Sequence, residues 1–281
     1  MKISQLPSPT TAFSIRLAVA FTLLLMQTPS SDAATSCDTT VVLSSNTVLG
    51  TDYELTSNGG ACIKLTNGAD LDMNGKKITC KSTVPGHCQT AIEAEDAGSY
   101  VTNSVPGNVA IENIGYGWVY GVREAERVTD LRIDSAFYGI FSSNATTISG
   151  NVLTNVVNCI FADLPAATSV IEHNLCDHAV GVFAPTIGIQ AVGESGTSGP
   201  IIRRNMVLHA QQGIYGDLPL RLNDNIVCDE QAYGGFGFGV VVRPSESQTG
   251  QHNLCCNEPE YGTDSGCKSV SDLSASFTLW P

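Results

Sequence analysis

Residues 201–219 read IIRRNMVLHAQQGIYGDLP. Two arginines, a histidine, an aspartate and a tyrosine in one apolar frame invite a catalytic reading. The frame, however, recurs. SVIEHNLCDHAVGVF (169–183), TTISGNVLTNVVNCIF (146–161) and RLNDNIVCDEQAYGGFGFGV (221–240) superpose on it about a single asparagine. QTGQHNLCCNEPEYG (248–262) repeats its first half, and DLRIDSAFYGIF (130–141) and VAIENIGYGWVYGV (109–122) are looser copies. The shared pattern is an aliphatic residue, two polar residues, Asn, two apolar residues, and later a Gly followed by an aliphatic residue. Aligned this way, the anchors are Asn113, Asp134, Asn151, Asn174, Asn205, Asn225 and Asn253, with spacings from 17 to 31 residues. A unit of about 20 residues cannot bury its apolar face alone, so successive units must stack as a solenoid.

Composition selects strands over helices. The chain of 281 residues holds 27 glycines and only 15% charged residues, and no long segment keeps a helical period of apolar residues. A leucine-rich repeat would need a leucine-dominated consensus, which is missing. The expected fold is all-β: a single-stranded right-handed parallel β-helix, a solenoid with capped ends. Its coils would stack at about 4.8 Å, with the asparagines forming an amide ladder along the axis. ADLDMNGKKITC (69–80) reads as the first coils. Over residues 65–262 the chain resembles the pectate-lyase-like superfamily of right-handed β-helices. That resemblance speaks to fold first, because the repeat encodes stacking rather than chemistry. The expected organisation is a signal peptide over 1–33, an N-terminal cap over 34–64, the β-helix over 65–262 and a C-terminal cap or tail over 263–281.

The signal peptide rests on Lys2 and Arg16, the apolar run LAVAFTLLLM (17–26), and Ser31 and Ala33 at the −3 and −1 positions. Removing Lys2, Arg16 and Asp32 from 14 basic and 27 acidic residues leaves 12 and 26, net −14. Such a surface disfavours nucleic acid and anionic membrane as partners. It also disfavours a polyanion, unless a cation such as Ca²⁺ bridges the charges. No cofactor is required by the residues themselves. Ten cysteines in an exported chain, with no Cys-x-x-Cys, point to disulfides rather than a metal. Cys228 and Cys256 occupy one column on neighbouring coils and are within disulfide range; Cys80 and Cys88 would close a small loop. The location expected is secreted or periplasmic.

Stacking turns the alignment into a map of neighbours. Ile148, Ile171, Ile202 and Leu222 form an inward column. Leu153, Cys176, Val207, Val227 and Cys255 form another. Between them, Val152, Leu175, Met206, Ile226 and Leu254 alternate outward, unless a local bend turns both columns in. An outward apolar stripe would be covered by a terminal segment, such as 277–280, or serve as an interface for a homo-oligomer. The polar columns hold the candidate chemistry. His173, Arg204 and Asp224 precede the anchors; Arg203 and Glu172 lie one place earlier; His178 and His209 lie four places after. Their plain structural role is a solvated face with Glu172 paired to Arg203 and Arg204 to Asp224, worth about 0.2–1 kcal/mol each.

The resemblance implies a sharper role: an enzyme on an extracellular polysaccharide, of lyase (β-elimination) or epimerase type. Such a lyase needs a base beside a uronate carboxylate and a cation on the resulting enolate. Arg204 or Arg203 would be the base implied by the family, with His173, His209 and Asp224 beside it. His173, His178 or His209 would serve more easily near neutral pH. After the glycines stand Phe141, Phe161, Phe183 and Tyr215, a candidate aromatic ribbon for sugar rings, with Arg123 before them. Asp163 and Asp217, in repeated Asp-Leu-Pro turns, are weak metal candidates. The long stretches 186–199 and 230–248 would project as loops walling a groove over the coil of 200–219. The alternative function is a non-catalytic module that binds glycan or protein through its aromatic and apolar stripes. Neither reading names the polysaccharide.

Overall fold

A computed structural model describes residues 33–56, 59–84, 87–113, 118–163, 165–178, 186–193, 199–228, 238–242, 248–255 and 267–268. Every regular element among them is a strand. The strands are two to seven residues long and, as far as Asn253–Cys255, visit three parallel sheets in rotation. Sheet 1 has 11 strands and begins at Thr35–Ser36; sheet 2 has nine and begins at Val41–Leu43; sheet 3 has nine and begins at Thr47–Val48. Each strand pairs only with its equivalents one coil before and after, the connectivity of a right-handed parallel β-helix. Among the described residues no helix is long and apolar enough to cross a membrane.

Burial follows the expected columns. Ile148, Ile171, Ile202 and Leu222 are paired in register in sheet 3 and 0–1% exposed. Sheet 2 contributes a run of eight β-branched residues: Ile63, Ile92, Val122, Ile140, Ile160, Ile189, Ile214 and Val240, all inward. β-Branched side chains suit this, since they pack well on a pleated surface. Each such residue contributes about 1.5–3 kcal/mol of apolar burial. Val152, Leu175, Met206, Ile226 and Leu254 are partly exposed in sheet 1 while their strand neighbours are buried. Alternation therefore holds, and no bend turns that column inward.

The asparagine ladder is real and shorter than the alignment suggests. Asn151, Asn174, Asn205 and Asn225 each donate Nδ2–H to Oδ1 of the next rung at 2.9–3.0 Å, ending on Asn253. The second Nδ2 hydrogen goes to a backbone carbonyl of the preceding coil, as from Asn205 to Ile171 at 2.9 Å. Each Oδ1 from Asn174 onward accepts two hydrogens, one from Nδ2 and one from the backbone N–H of the asparagine before it. All five are 0–2% exposed, and both Nδ2 hydrogens of Asn151, Asn174, Asn205 and Asn225 are satisfied in the dry interior. Asp134 and Asn113 do not belong to the ladder. Leu131 occupies the place before Asn151, with its N–H on Asn151 Oδ1 at 3.0 Å. Asp134 pairs with Thr154, and Asn113 with Cys80. Both precede a Gly-aliphatic pair, Gly121-Val122 and Gly139-Ile140, but strand register places them further along the coil.

The solenoid also starts earlier than expected. Residues 34–64, read as a cap, supply strands to all three sheets from Thr35 onward. At the other end, Cys267–Lys268 adds a further strand to sheet 1. Disulfides Cys37–Cys62, Cys80–Cys88 and Cys159–Cys176 lie in the core, with Cα separations of 5.0, 6.0 and 5.9 Å. The Cys80–Cys88 pairing is the one anticipated. Cys228 is also disulfide-bonded; its anticipated partner, Cys256, lies outside the described residues.

Candidate functional site

Three corners join the sheets, and the candidate residues divide among them. At the corner from sheet 3 to sheet 1, the residue before each ladder position has a left-handed backbone: Asp130, Gly150, His173, Arg204, Asp224 and His252, with φ of 54–69°. The turn thus sets the conformation, and Gly150 is its least strained occupant. His173, Arg204 and Asp224 do stand on successive rungs there. Arg204 Nε lies 3.9 Å from Asp224 Oδ2, and His252 Nδ1 lies 3.3 Å from Asp224 Oδ1. One place earlier, Glu172 receives Arg203 Nε at 2.6 Å, and His173 Nδ1 stands 3.8 Å from the same oxygen. The side chains of His173, Arg204 and Asp224 are 43–52% exposed. The row is charge-paired across rungs, as the plain structural role requires.

His209 is elsewhere, at the corner from sheet 1 to sheet 2. Its Nδ1 lies 2.8 Å from Asp177 Oδ1 on the preceding rung. Two coils earlier Asn155 makes the same reach, donating Nδ2–H to Asp134 at 2.7 Å. Asn155 and His209 share a positive φ of 56–57°. The pair is therefore a recurring corner arrangement in which one member is a histidine. His178 sits at the same corner but turns inward. It is 3% exposed and donates Nδ1–H to the Val156 carbonyl at 2.6 Å. Burial lowers its pKa to about 4, against the opposing pull of that carbonyl and of Asp177. Its Nε2 is buried with no hydrogen-bond partner. The five expected catalytic residues thus occupy two corners and one sheet face, not one cleft.

The outer face of sheet 2 carries the aromatics. Arg123, Phe141, Phe161, Gln190 and Tyr215 form one column in register. Phe141 and Phe161 point outward while Ile140 and Ile160 are buried, as expected. The place assigned to Phe183 is held by Gln190; Phe183 lies outside the described residues. Gly188-Ile189 enters the sheet, and Ile187–Val192 is a strand rather than part of a projecting loop; Gly181-Val182 lies outside the described residues. Local pattern cannot separate two Gly-aliphatic pairs; only rung pairing does. Residues 194–198 and most of 230–248 lie outside the described residues.

A second aromatic column was missed. Tyr120 and Tyr138 pair in register and also face outward. They share the pattern Tyr-Gly-aliphatic-Arg/Phe, at 120–123 and 138–141, which was visible in the sequence. The intervening glycines are needed. A Cβ on Gly139 would lie 2.2 Å from Leu153 Cδ2 and 2.7 Å from the Cys159 carbonyl. Tyr120 stacks on Tyr138 at 5.2 Å and Phe141 on Phe161 at 5.1 Å, with edge contacts between columns at 5.5–5.8 Å. Phe137, 43% exposed, adds an edge contact to Tyr138. Arg123 lies over Tyr120 at 5.3 Å and pairs with Glu93 at 3.0 Å.

Asp163 and Asp217 line up at the end of the same sheet with Val192 between them, about two rungs apart. Asp217 Oδ1 accepts the Gly193 N–H at 2.8 Å. No group of three or more His, Cys, Asp or Glu side chains among the described residues is arranged to hold a metal ion. Comparisons with protein-family models, with curated proteins and with solved structures found no match.

Proposed function

We propose that this is an exported β-helix protein that binds a polysaccharide along the outer face of sheet 2. The observation that carries this reading is the outward cluster of Tyr120, Tyr138, Phe141 and Phe161, in rung register on a rigid sheet. Sugar rings pack against aromatic side chains through their C–H groups. Arg123 and Glu93 on one side, and Gln190 and Tyr215 on the other, supply hydrogen-bonding groups along a track of six rungs, about 24 Å. The acidic balance of the chain favours a neutral glycan over a polyuronide. The signal-peptide pattern, the disulfides and the family resemblance support an extracellular setting.

A panel of insoluble and soluble polysaccharides, neutral and acidic, tests this by co-sedimentation and calorimetry. Binding should be weakly salt-dependent and should fall about 2–10-fold in each of Phe141→Ala and Phe161→Ala, from about 0.5–1.5 kcal/mol per aromatic contact. Binding that survives both substitutions would remove the aromatic face from the reading. The lyase or epimerase reading is carried by the row of His173, Arg204 and Asp224. Absorbance from unsaturated products on a polyuronide with Ca²⁺, lost in Arg204→Ala, would favour it instead.

A further inference from the structure

The aromatic face of sheet 2 carries two polar side chains that the ring stacks do not explain. Tyr120, Tyr138 and Asn158 pair in register along one column, and Arg123, Phe141 and Phe161 along the other. Asn158 therefore stands where a third tyrosine would continue the column: Asn158-Cys-Ile-Phe161 follows Tyr138-Gly-Ile-Phe141. Arg123 and Asn158 hold opposite corners of this array, two rungs or about 10 Å apart along the axis, and its other four places are aromatic.

Asn158 is 8% exposed, and its Oδ1 is buried with no hydrogen-bond partner. A desolvated carbonyl with nothing to accept destabilises the free protein. Leucine has nearly the same branched shape and would carry no such cost. The ladder asparagines show the contrast, since the Oδ1 of each accepts a hydrogen bond. An amide kept here against the stability of the fold is the mark of a binding group. Arg123 shares the trait. Its Nε is buried without a partner, while its Nη1 donates to Glu93 at 3.0 Å and its guanidinium lies over Tyr120. Glu93 already matches its charge, so this corner suits a neutral hydroxyl better than an anion.

We propose that Asn158 sets the specificity of the glycan face. Its amide hydrogen-bonds the hydroxyls of a sugar ring packed on Tyr138 and Phe161, and Arg123 does the same for a ring at the opposite corner. The ligand class is a neutral polysaccharide with free ring hydroxyls at both places. The proposal rests on the reading of sheet 2 as a glycan-binding face.

Asn158→Leu tests this through two independent readouts on the full chain. The first is thermal unfolding without ligand. The second is calorimetry with soluble neutral glucan, xylan and mannan, and with the O-methylated form of whichever binds. Without ligand, the variant should unfold at the temperature of the unaltered protein or above it. Its affinity should fall roughly 10-fold, the loss of about one hydrogen bond. Asn158→Ala, with a smaller side chain, should lose affinity likewise, which separates a lost hydrogen bond from a steric block. O-Methylation should weaken binding by the unaltered protein and make little difference to Asn158→Leu. Unfolding of Asn158→Leu at a clearly lower temperature makes Asn158 a structural residue and overturns the proposal. Binding that both substitutions leave unchanged overturns it equally, while the glycan reading of the sheet stands. Absence of binding by the unaltered protein to all three polymers refutes that reading and this proposal together.

Discussion

Removing one amide from the ladder should cost in proportion to the buried donors it strands. In Asn205→Ala, Asn174 loses the acceptor for both its backbone N–H and its Nδ2–H, each at 3.0 Å. Neither donor can reach water, since Asn174 is 2% exposed. An unsatisfied buried group costs about 1–3 kcal/mol, so the expected loss is about 2–6 kcal/mol. Asn151→Ala is the internal control. The rung before it carries Leu131, so only one donor, the Leu131 N–H, is stranded. On the next rung the consequences are alike for both variants: Asn174 or Asn225 loses one Nδ2–H donor and keeps a backbone one. Asn205→Ala should therefore exceed Asn151→Ala by the cost of one buried donor, about 1–3 kcal/mol. Urea unfolding, with the slope checked for constancy, measures both. A carboxylate sharpens the test. Asn205→Asp keeps an acceptor for Asn174 but sets a charged oxygen toward Asn225 Oδ1 and the Ile171 carbonyl. Its folded pKa must rise above the unfolded value near 4. The native state then holds more protons in that window, so the variant should lose stability as pH rises through it and regain it as pH falls. Equal costs for Asn205→Ala and Asn151→Ala, or a pH-independent Asn205→Asp, would refute the view that stranded donors carry the ladder's energy.

Three further outcomes follow from the geometry. Gly139→Ala should cost about 1–3 kcal/mol by thermal or urea unfolding, because its Cβ would meet Leu153 and the Cys159 carbonyl. Protonating His178 below its usual pKa of 6.5 but above about 4 is favourable only in the unfolded chain. Stability should therefore fall as pH drops from 6.5 to 4, by on the order of 3 kcal/mol, and His178→Gln should flatten that slope. Arg204→Gly should be neutral to stabilising by about 1 kcal/mol, since relief of a left-handed φ of 54° at about 1–2 kcal/mol exceeds the entropy glycine adds to the unfolded chain. A loss of glycan binding in that variant would return Arg204 to the site.

Much of the solenoid was legible because stacking repeats the same demand on every coil. The inward columns and the outward Phe141 and Phe161 followed from alternation alone. Reading failed where neighbouring coils, rather than neighbouring residues, decide. Asp134 resembled an anchor, yet its register partner is Thr154, three places beyond Asn151. Phe183 followed a Gly-Val pair like any other, yet Gln190, after Gly188-Ile189, holds the place beside Phe161. Tyr120 and Tyr138 were overlooked because they precede the glycine, where the frame tolerates any residue. The early strands of 35–55 lack the asparagine frame altogether and so looked like a cap.

What the amino-acid sequence determined by itself was the repeat, the strand period and the identity of the core. These depend on spacing along the chain, and hydrophobic burial responds to spacing. What only the tertiary structure decided was which side chains meet. His209 finds Asp177 and not Arg204, and the expected catalytic set falls on separate corners, because contacts between coils about 20 to 31 residues apart in sequence are set by hydrogen-bonded register. A one-residue change in register moves a side chain to the other face of its sheet, and no local pattern records that choice.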